Sequence, residues 1–194
     1  MEKKPADAKL VRTYLSGNDR SFENLFKRYE RPLFSFILKF VRDRQIAEDI
    51  FQQTWIKVLN GLTGYEEKGK FSSWLFGIAN NCCIDHSRKE TRSKVDDRAS
   101  AEGMDLLEGD DCDPESTFLK QEETEWLEKA IQTLPIEQKE VVLLRFHGQL
   151  PFKEIARVLG SPLNTVLGRM HYAVCNLRKM VDQEYGSDLK HVLS

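Results

Sequence analysis

Apolar residues recur at helical spacing along most of this 194-residue chain, and no stretch alternates as a half-buried strand would. The first half predicts three helices, at about residues 21–41, 45–62 and 71–92. We expect Asp19 to cap the first helix and Pro32 to kink or divide it. The last turns of the third helix are polar, as is typical of a helix that leaves its domain core.

The helical pattern stops and then resumes in the second half of the chain. Residues 95–117 are acidic, contain Gly, Ser and Pro, and have no apolar periodicity. A loop of that length is uncommon inside a compact domain, so a flexible linker between two domains is the better interpretation. Four further helices are predicted, at about 118–134, 137–147, 151–159 and 162–181.

The predicted fold class is therefore all-α, with two small helical domains joined by an acidic flexible linker. We expect the first domain at residues 8–94 and the second, which contains a helix-turn-helix, at 118–181. A short tail, residues 182–194, completes the chain.

The net charge of −2 conceals an uneven distribution. Residues 1–95 carry a net charge of +6, residues 96–128 a net charge of −11, and residues 129–194 a net charge of +3. Such asymmetry suggests that the two basic parts bind a polyanion and that the acidic middle is solvated.

Composition and motifs argue against several classes of protein. No apolar run reaches the length of a membrane span, and the basic N-terminus has no apolar segment behind it, so a cytoplasmic protein is expected. No glycine-rich phosphate loop, nucleophile–base pair or metal cluster stands out. We therefore expect a protein that is not an enzyme, with no catalytic residue, metal ligand or cofactor. The thiols are interpreted as buried or incidental in a reducing cytosol: Cys82, Cys83, Cys112 and Cys175.

The segment LPFKEIARVLGSPLNTVLGRM fits a helix-turn-helix. Ala156 allows close approach of two helices, Gly160 suits a left-handed turn, and Val166 would fill the angle between the helices. The second helix of this motif presents its early residues to base edges in the major groove. Those candidate DNA-binding residues are Asn164, Thr165 and Arg169, with His171 and Tyr172 nearby. The alternative is a plain helical hairpin with a glycine turn.

The segment FSSWLFGIANNCCIDHSRKETR combines an apolar stripe with aromatic, amide and basic side chains. Rings can stack on unpaired bases, amides can read base edges, and cations can hold phosphates. The candidates are Trp74, Asn81, Asp85, Arg88, Lys89 and Arg92. A core tryptophan beside a solvated helix end is an equally good interpretation of these residues alone.

Four segments taken in order resemble the extracytoplasmic function (ECF) subfamily of bacterial RNA polymerase sigma factors. GNDRSFENLFKRY is similar to the opening of sigma region two, and AEDIFQQTWIKVL to its polymerase-docking helix. FSSWLFGIANNCCIDHSRK is similar to the stretch that opens and reads the minus-ten element. AIQTLPIEQKEVVLLRFHGQLPFKEIARVLGSPLNTV is similar to region four, which reads the minus-thirty-five element. The resemblance covers residues 8–93 and 118–181.

The resemblance implies particular roles and partners. Asp49, Gln52 and Gln53 match positions that dock on the beta-prime clamp of core RNA polymerase. Promoter DNA, the polymerase beta flap and an anti-sigma factor are the other expected partners. The positions that match minus-ten recognition and opening are Phe71, Ser72, Ser73, Trp74, Asn81, Asp85 and Arg88, although Asn81 or Asp85 could instead be internal hydrogen-bond partners. Thr165 and Arg169 match the minus-thirty-five recognition helix.

The recognition helix departs from the family pattern. The family usually has Lys-Ser-Arg where this chain has Leu167, Gly168 and Arg169, and fewer cations imply weaker phosphate contacts. Two alternatives to a working sigma factor stay open at this point. One is a helix-turn-helix repressor, and the other is a sigma-like protein that acts only through protein contacts.

Overall fold

The computed structural model describes residues 5–66, 70–96 and 126–192, and within those ranges it contains helices and no strand, so the all-α prediction is confirmed. The chain forms two compact units, residues 1–101 with 143–161 and residues 102–142 with 162–194. The helices are α1 (Asp7–Leu15), α2 (Asp19–Val41), α3 (Arg44–Gly61), α4 (Phe71–Asp96), α5 (described over residues 126–133), α6 (Ile136–Phe146), α7 (Phe152–Val158) and α8 (Leu163–Val192), with a 3-10 turn at Leu62–Gly64.

The first unit is built around α2, which packs against α1, α3 and α4. One side of α2 is fully buried, and its rings meet those of α4: Phe36 and Phe76 lie edge to face with their centroids 5.4 Å apart. Such aromatic pairs add to the free energy gained by burial. The buried residues contributed by the three long helices include Leu25, Leu33, Phe36, Ile37, Phe40, Ala47, Ile50, Val58, Leu75, Phe76 and Ala79.

The residues that cap α2 and α3 are short and polar, but the one that caps α2 is not the one predicted. The cap of α2 is Asn18, and Asp19 is the first helical residue, so the predicted capping role of Asp19 is wrong. Asn18 makes no side-chain cap bond, whereas the carboxylate of Asp43 accepts the amide of Ile46 at 2.9 Å and caps α3. Pro32 lies inside a continuous α2 and does not divide it.

Residues 143–161 belong to the first unit rather than to the second. Helix α7 packs against α4, where Val158 lies beside Gly77, and the Oγ of Ser35 lies 3.4 Å from Nδ1 of His147. The sequence predicted that residues 118–181 form a single second domain. Those boundaries remain a prediction. Of the predicted acidic linker, residues 95–96 lie in α4 and the rest fall outside the described residues.

The second unit has a small apolar core of its own. Leu134, Val142 and Ala173 are buried there, with Met170 and Leu177 packed against them. The amide of Asn176 on α8 donates to Oε1 of Gln138 on α6 at 3.0 Å, which ties the two helices together. Helix α8 is longer than predicted, since it continues through the expected tail as far as Val192.

The α2-centred core predicts a large difference between two leucine truncations. Leu25 is fully buried, whereas Leu15 is 46% exposed. We expect Leu25→Ala to lower the free energy of unfolding by about 2–5 kcal/mol, because it removes buried carbons and leaves a cavity. Leu15→Ala should lower it by less than about 1 kcal/mol. Urea unfolding followed by circular dichroism measures both, and equal effects would contradict the packing described here.

Candidate functional site

Helix α3 has an exposed polar face on the side away from the core. Asp49, Gln52 and Gln53 are all exposed, while Ala47 and Ile50 on the other side are buried. An exposed polar stripe opposite a buried apolar one is what a helix needs to bind a partner without losing its own packing.

Two exposed apolar residues of α3 were not predicted from the sequence. Ile56 is 57% exposed and Leu59 is 40% exposed, and both are large hydrophobic side chains. Ile56 follows Gln52 and Gln53 by one helical turn, so the three residues share a face. Ile56 lies off the apolar stripe of α3, which runs through Ala47, Ile50 and Val58, so its exposure agrees with the helical spacing.

The polar half of α4 presents a second exposed stripe. Asn81, Asp85, Arg88 and Arg92 are exposed and follow one another at intervals of four, three and four residues, so they lie on one face. Lys89 is exposed beside them. The exposure of Asn81 and Asp85 does not favour an internal hydrogen-bonding role for either.

The residues that begin α4 are more buried than those that follow. Phe71 and Ser73 are buried, at 2% and 6% exposure, and Ser72 and Trp74 are half-buried. Of the four candidates here, Ser72 and Trp74 are therefore the two with substantial surface. Phe71 and Ser73 are buried beneath these two side chains.

An aromatic cluster holds Trp74 in place. Tyr65, which was not predicted from the sequence, lies against Trp74 with ring centroids 4.8 Å apart, and Phe71 lies 5.8 Å from Trp74. Gly61 at the end of α3 lies under the indole: a Cβ there would be 3.0 Å from Cζ2 of Trp74. The glycine therefore permits a close approach that any side chain would disturb.

A polar cleft of about 170 Å³ lies between α3 and α4. The Nζ of Lys57 lies 3.3 Å from Sγ of the buried Cys82 at this cleft. The cleft brings the α3 and α4 candidate sites side by side, which the sequence did not indicate. Its lining comprises Ile46, Asp49, Ile50, Gln53, Lys57, Cys82, Asp85, His86 and Lys89.

The recognition-helix candidates lie at the start of α8. Asn164, Thr165, His171 and Tyr172 are exposed and Arg169 is half-buried. Before α8, Gly160 has a φ of +58°, as predicted for the turn, and the hydroxyl of Ser161 donates to the carbonyl of Leu159 at 3.3 Å. Val166 is fully buried.

The described residues hold no group of three or more histidine, cysteine or acidic residues that could bind a metal ion. Cys82 and Cys83 are buried and Cys175 is half-buried, all as free thiols, and Cys112 lies outside the described part. None of the helices described is both long and apolar enough to cross a membrane.

Two parts of the chain match protein families. Residues 25–93 match Sigma-70 region 2, and residues 124–173 match Sigma-70, region 4. The first match contains the exposed faces of α3 and α4, and the second contains the start of α8.

Curated relatives resemble the chain over most of its length. It is 30% identical over 172 residues to the RNA polymerase sigma-H factor of Pseudomonas aeruginosa, which covers 86% of this chain and 89% of that protein. It is 26% identical to the ECF RNA polymerase sigma factor SigW of Bacillus subtilis, across 89% of this chain and 95% of SigW.

Solved structures share the fold. The structure of CnrH in complex with the cytosolic domain of CnrY matches with a TM-score of 0.69 and 22% identity, over 93% of this chain and 99% of that one. The sigma factor RpoE of Bartonella quintana, in complex with the anti-sigma factor NepR, matches with a TM-score of 0.70 and 19% identity, over 85% and 99%.

A chain of this fold that matches Sigma-70 region 2 and Sigma-70, region 4 is a protein of transcription initiation. The chain belongs to the ECF subfamily of RNA polymerase sigma factors. It is an alternative sigma factor, which binds RNA polymerase and promoter DNA and directs transcription initiation. Sigma factors are not enzymes.

The close approach of Gly61 and Trp74 predicts a specific effect of an added methyl group. Gly61→Ala should displace the indole and lower the free energy of unfolding by about 1–3 kcal/mol relative to Gly64→Ala, because overpacking forces neighbours to move. Gly64 is the matched control, since a Cβ there meets no atom within 4 Å. Fluorine NMR of fluorotryptophan-labelled protein reports the displacement. An unchanged Trp74 resonance in Gly61→Ala would contradict this packing.

At Gly168, replacement by alanine should raise rather than lower the free energy of unfolding. This glycine lies in α8, and a Cβ there meets nothing within 4 Å. We expect Gly168→Ala to raise the free energy of unfolding of the second unit by about 0.5–1 kcal/mol, because alanine restricts the unfolded backbone and favours helix. Chemical denaturation measures the change. A decrease in stability would show that the glycine is required for a contact.

Proposed function

We propose that α3 docks this sigma factor on the beta-prime clamp of core RNA polymerase through Asp49, Gln52 and Gln53. These three exposed side chains lie on the same face as the exposed Ile56, one or two helical turns before it. Polar groups beside an exposed apolar side chain are common in protein interfaces. Binding at this face leaves the buried side of α3 and its contacts with α2 undisturbed.

The stripe of α4 reads the minus-ten element and holds it open. One observation carries this proposal: Trp74, Asn81, Asp85, Arg88 and Arg92 recur at whole helical turns on one helix, and the last four are exposed. An aromatic ring followed by amide and guanidinium groups suits stacking on unpaired bases, reading of base edges and binding of phosphates. Lys89 adds a cation beside the stripe.

The first four residues of α4 have two different roles, one for those with exposed surface and one for those that are buried. Ser72 and Trp74 have surface that can meet the displaced strand, whereas Phe71 and Ser73 are buried and support them from below. Strand opening follows when binding energy from the unpaired bases outweighs the cost of unstacking them, which is a few kcal/mol for each base taken out of the stack.

The start of α8 reads the minus-thirty-five element. Thr165, Arg169 and Tyr172 follow at intervals of four and three residues, so they share one face, with Asn164 and His171 on its edge. Only one of these five is a permanent cation. Because phosphate contacts by Lys and Arg supply most of the affinity for duplex DNA, attachment at this element is weak and depends on the polymerase beta flap.

Regulation by an anti-sigma factor is part of the same proposal. The structures of CnrH and RpoE, whose fold this chain shares, were determined with CnrY and the anti-sigma factor NepR respectively. We place the protein in the cytoplasm, with no catalytic residue and no cofactor of its own.

Run-off transcription tests the docking proposal. Purified core polymerase is incubated with a pool of genomic promoter fragments, with and without this protein. We expect new start sites that disappear when Asp49, Gln52 and Gln53 are all replaced by alanine, together with a loss of core affinity of at least about ten-fold. A matched triple variant on the exposed side of α2, with Glu23, Asn24 and Lys27 replaced by alanine, should keep both properties.

The other outcomes favour other functions. No transcription together with tight binding to free duplex DNA would contradict a sigma factor mechanism and favour a helix-turn-helix repressor. Core binding without transcription would favour a sigma-like protein that acts only through protein contacts.

A further inference from the structure

Both carboxylate oxygens of Asp7, in the first turn of α1, are bound by neighbouring residues of α2. The guanidinium of Arg28 donates to Oδ1, and the hydroxyl of Tyr29 donates to Oδ2 at 2.5 Å. Arg28 also donates to the carbonyl of Pro5 at 2.9 Å. Hydrogen bonds to an ionised group are among the stronger ones in proteins, so this carboxylate fixes the position of the Tyr29 hydroxyl.

Helix α1 is itself held firmly, so Asp7 is a fixed point rather than a mobile terminal group. Leu10 and Val11 are 5% and 3% exposed, and α1 packs against α2. The carboxylate also lies at the N-terminal end of its helix, where the helix dipole stabilises negative charge.

Tyr29 connects this fixed point to the beginning of α4. Its ring lies against Phe71, with centroids 5.6 Å apart, and the Ser72 hydroxyl lies close enough to its oxygen to affect the acidity of the phenol. Burial, followed by the bond to Asp7, raises the pKa of the Tyr29 hydroxyl well above its ordinary value. The phenol therefore stays protonated and donates to Asp7, while its lone pair is available to the Ser72 hydroxyl.

Phe71 in turn lies against Tyr65 and Trp74. A displacement of Tyr29 would therefore reach both residues of α4 that offer surface to the displaced strand, Ser72 directly and Trp74 through Phe71. Asp7 lies outside the segment that matches Sigma-70 region 2, which begins at residue 25.

We propose that Asp7 is a positioning residue for promoter opening, which acts through the hydroxyl of Tyr29 to hold Ser72 and Phe71 in the orientation that captures the unpaired strand. This inference rests on the proposed role of α4. Helix α1 is then part of the promoter-opening apparatus. Asp7, Tyr29 and Ser72 are named below as the Asp7 relay.

Tyr29→Phe is the sharpest variant, because it removes one oxygen and leaves the ring against Phe71. The holoenzyme is assembled on a duplex promoter fragment recovered from the genomic run-off, and opening is followed by permanganate reactivity of unpaired thymines. We expect the opening rate to fall about ten-fold, the scale for losing a hydrogen bond to an ionised group. Core affinity and the initial binding of duplex should stay unchanged.

A template with a pre-opened minus-ten region distinguishes a loss of strand capture from a loss of protein stability in the Tyr29→Phe variant. Transcription by Tyr29→Phe from that template should return to within about two-fold of the unmodified protein, because the strand no longer has to be captured as it opens. Loss of stability would instead reduce transcription from both templates.

Variants of Asp7 complete the test. Asp7→Ala should slow opening at least as much as Tyr29→Phe, and Asp7→Asn should slow it less, because the amide keeps one acceptor oxygen. Asp19→Ala is the matched control, since Asp19 is an exposed acidic residue in the first turn of α2. It should open the promoter at the unmodified rate.

The failures of the relay and of the proposed function can be told apart. If the unmodified protein opens promoters and Tyr29→Phe opens them equally fast, the Asp7 relay is overturned while the role of α4 stands. If the unmodified holoenzyme opens no promoter, both are overturned. Equal losses on duplex and pre-opened templates would reduce Asp7 to a structural residue and overturn positioning.

Discussion

The packing of α2 between its neighbours is the constraint on which the first unit depends. Leu33, Phe36, Ile37 and Phe40 of α2 are at most 1% exposed, and they meet the buried sides of α3 and α4. Burial of apolar area of this kind is the main favourable contribution to folding. Because both partner helices bury apolar residues in this core, their polar residues lie on the opposite sides and are exposed. The candidate interfaces are therefore a consequence of the core.

The same packing sets α3 and α4 side by side. The cleft between them is lined by Asp49 and Gln53 from the proposed polymerase face and by Asp85 and Lys89 from the proposed promoter face. The proposed polymerase face and the proposed promoter face therefore lie on adjacent helices of the first unit.

The sequence predicted the helices well and their ends less well. Periodicity identified α2, α3 and α4, since each has one strongly apolar side. It could not show that Asn18 rather than Asp19 precedes α2, because both are good capping residues. It also missed the extension of α8 to Val192, since Gly186 suggested an end. The grouping of residues 143–161 with the first unit depends on tertiary packing that has no local signature.

The sequence predicted those candidate residues that lie together on one face of a single helix. Asp49, Gln52 and Gln53 were predicted from the resemblance to sigma region two, and the α4 candidates from aromatic, amide and basic side chains that accompany an apolar stripe. The burial of Phe71 fits the apolar pattern of the helix, which it shares with the buried Leu75 and Ala79. The burial of Ser73 was not predictable, because the aromatic cluster around Trp74 brings together residues from three segments. The bond between Asp7 and Tyr29 spans two helices, and nothing in either local sequence indicates it.

Site-specific photocrosslinking in an assembled promoter complex tests the division of labour between α3 and α4 most directly. A photoreactive residue is placed at Gln52 in one variant and at Asn81 in another, each with core polymerase and an opened promoter. We expect crosslinks from position 52 to the polymerase beta-prime subunit and from position 81 to the unpaired promoter strand. Crosslinks from position 52 to DNA, or from position 81 to polymerase alone, would contradict that division of labour.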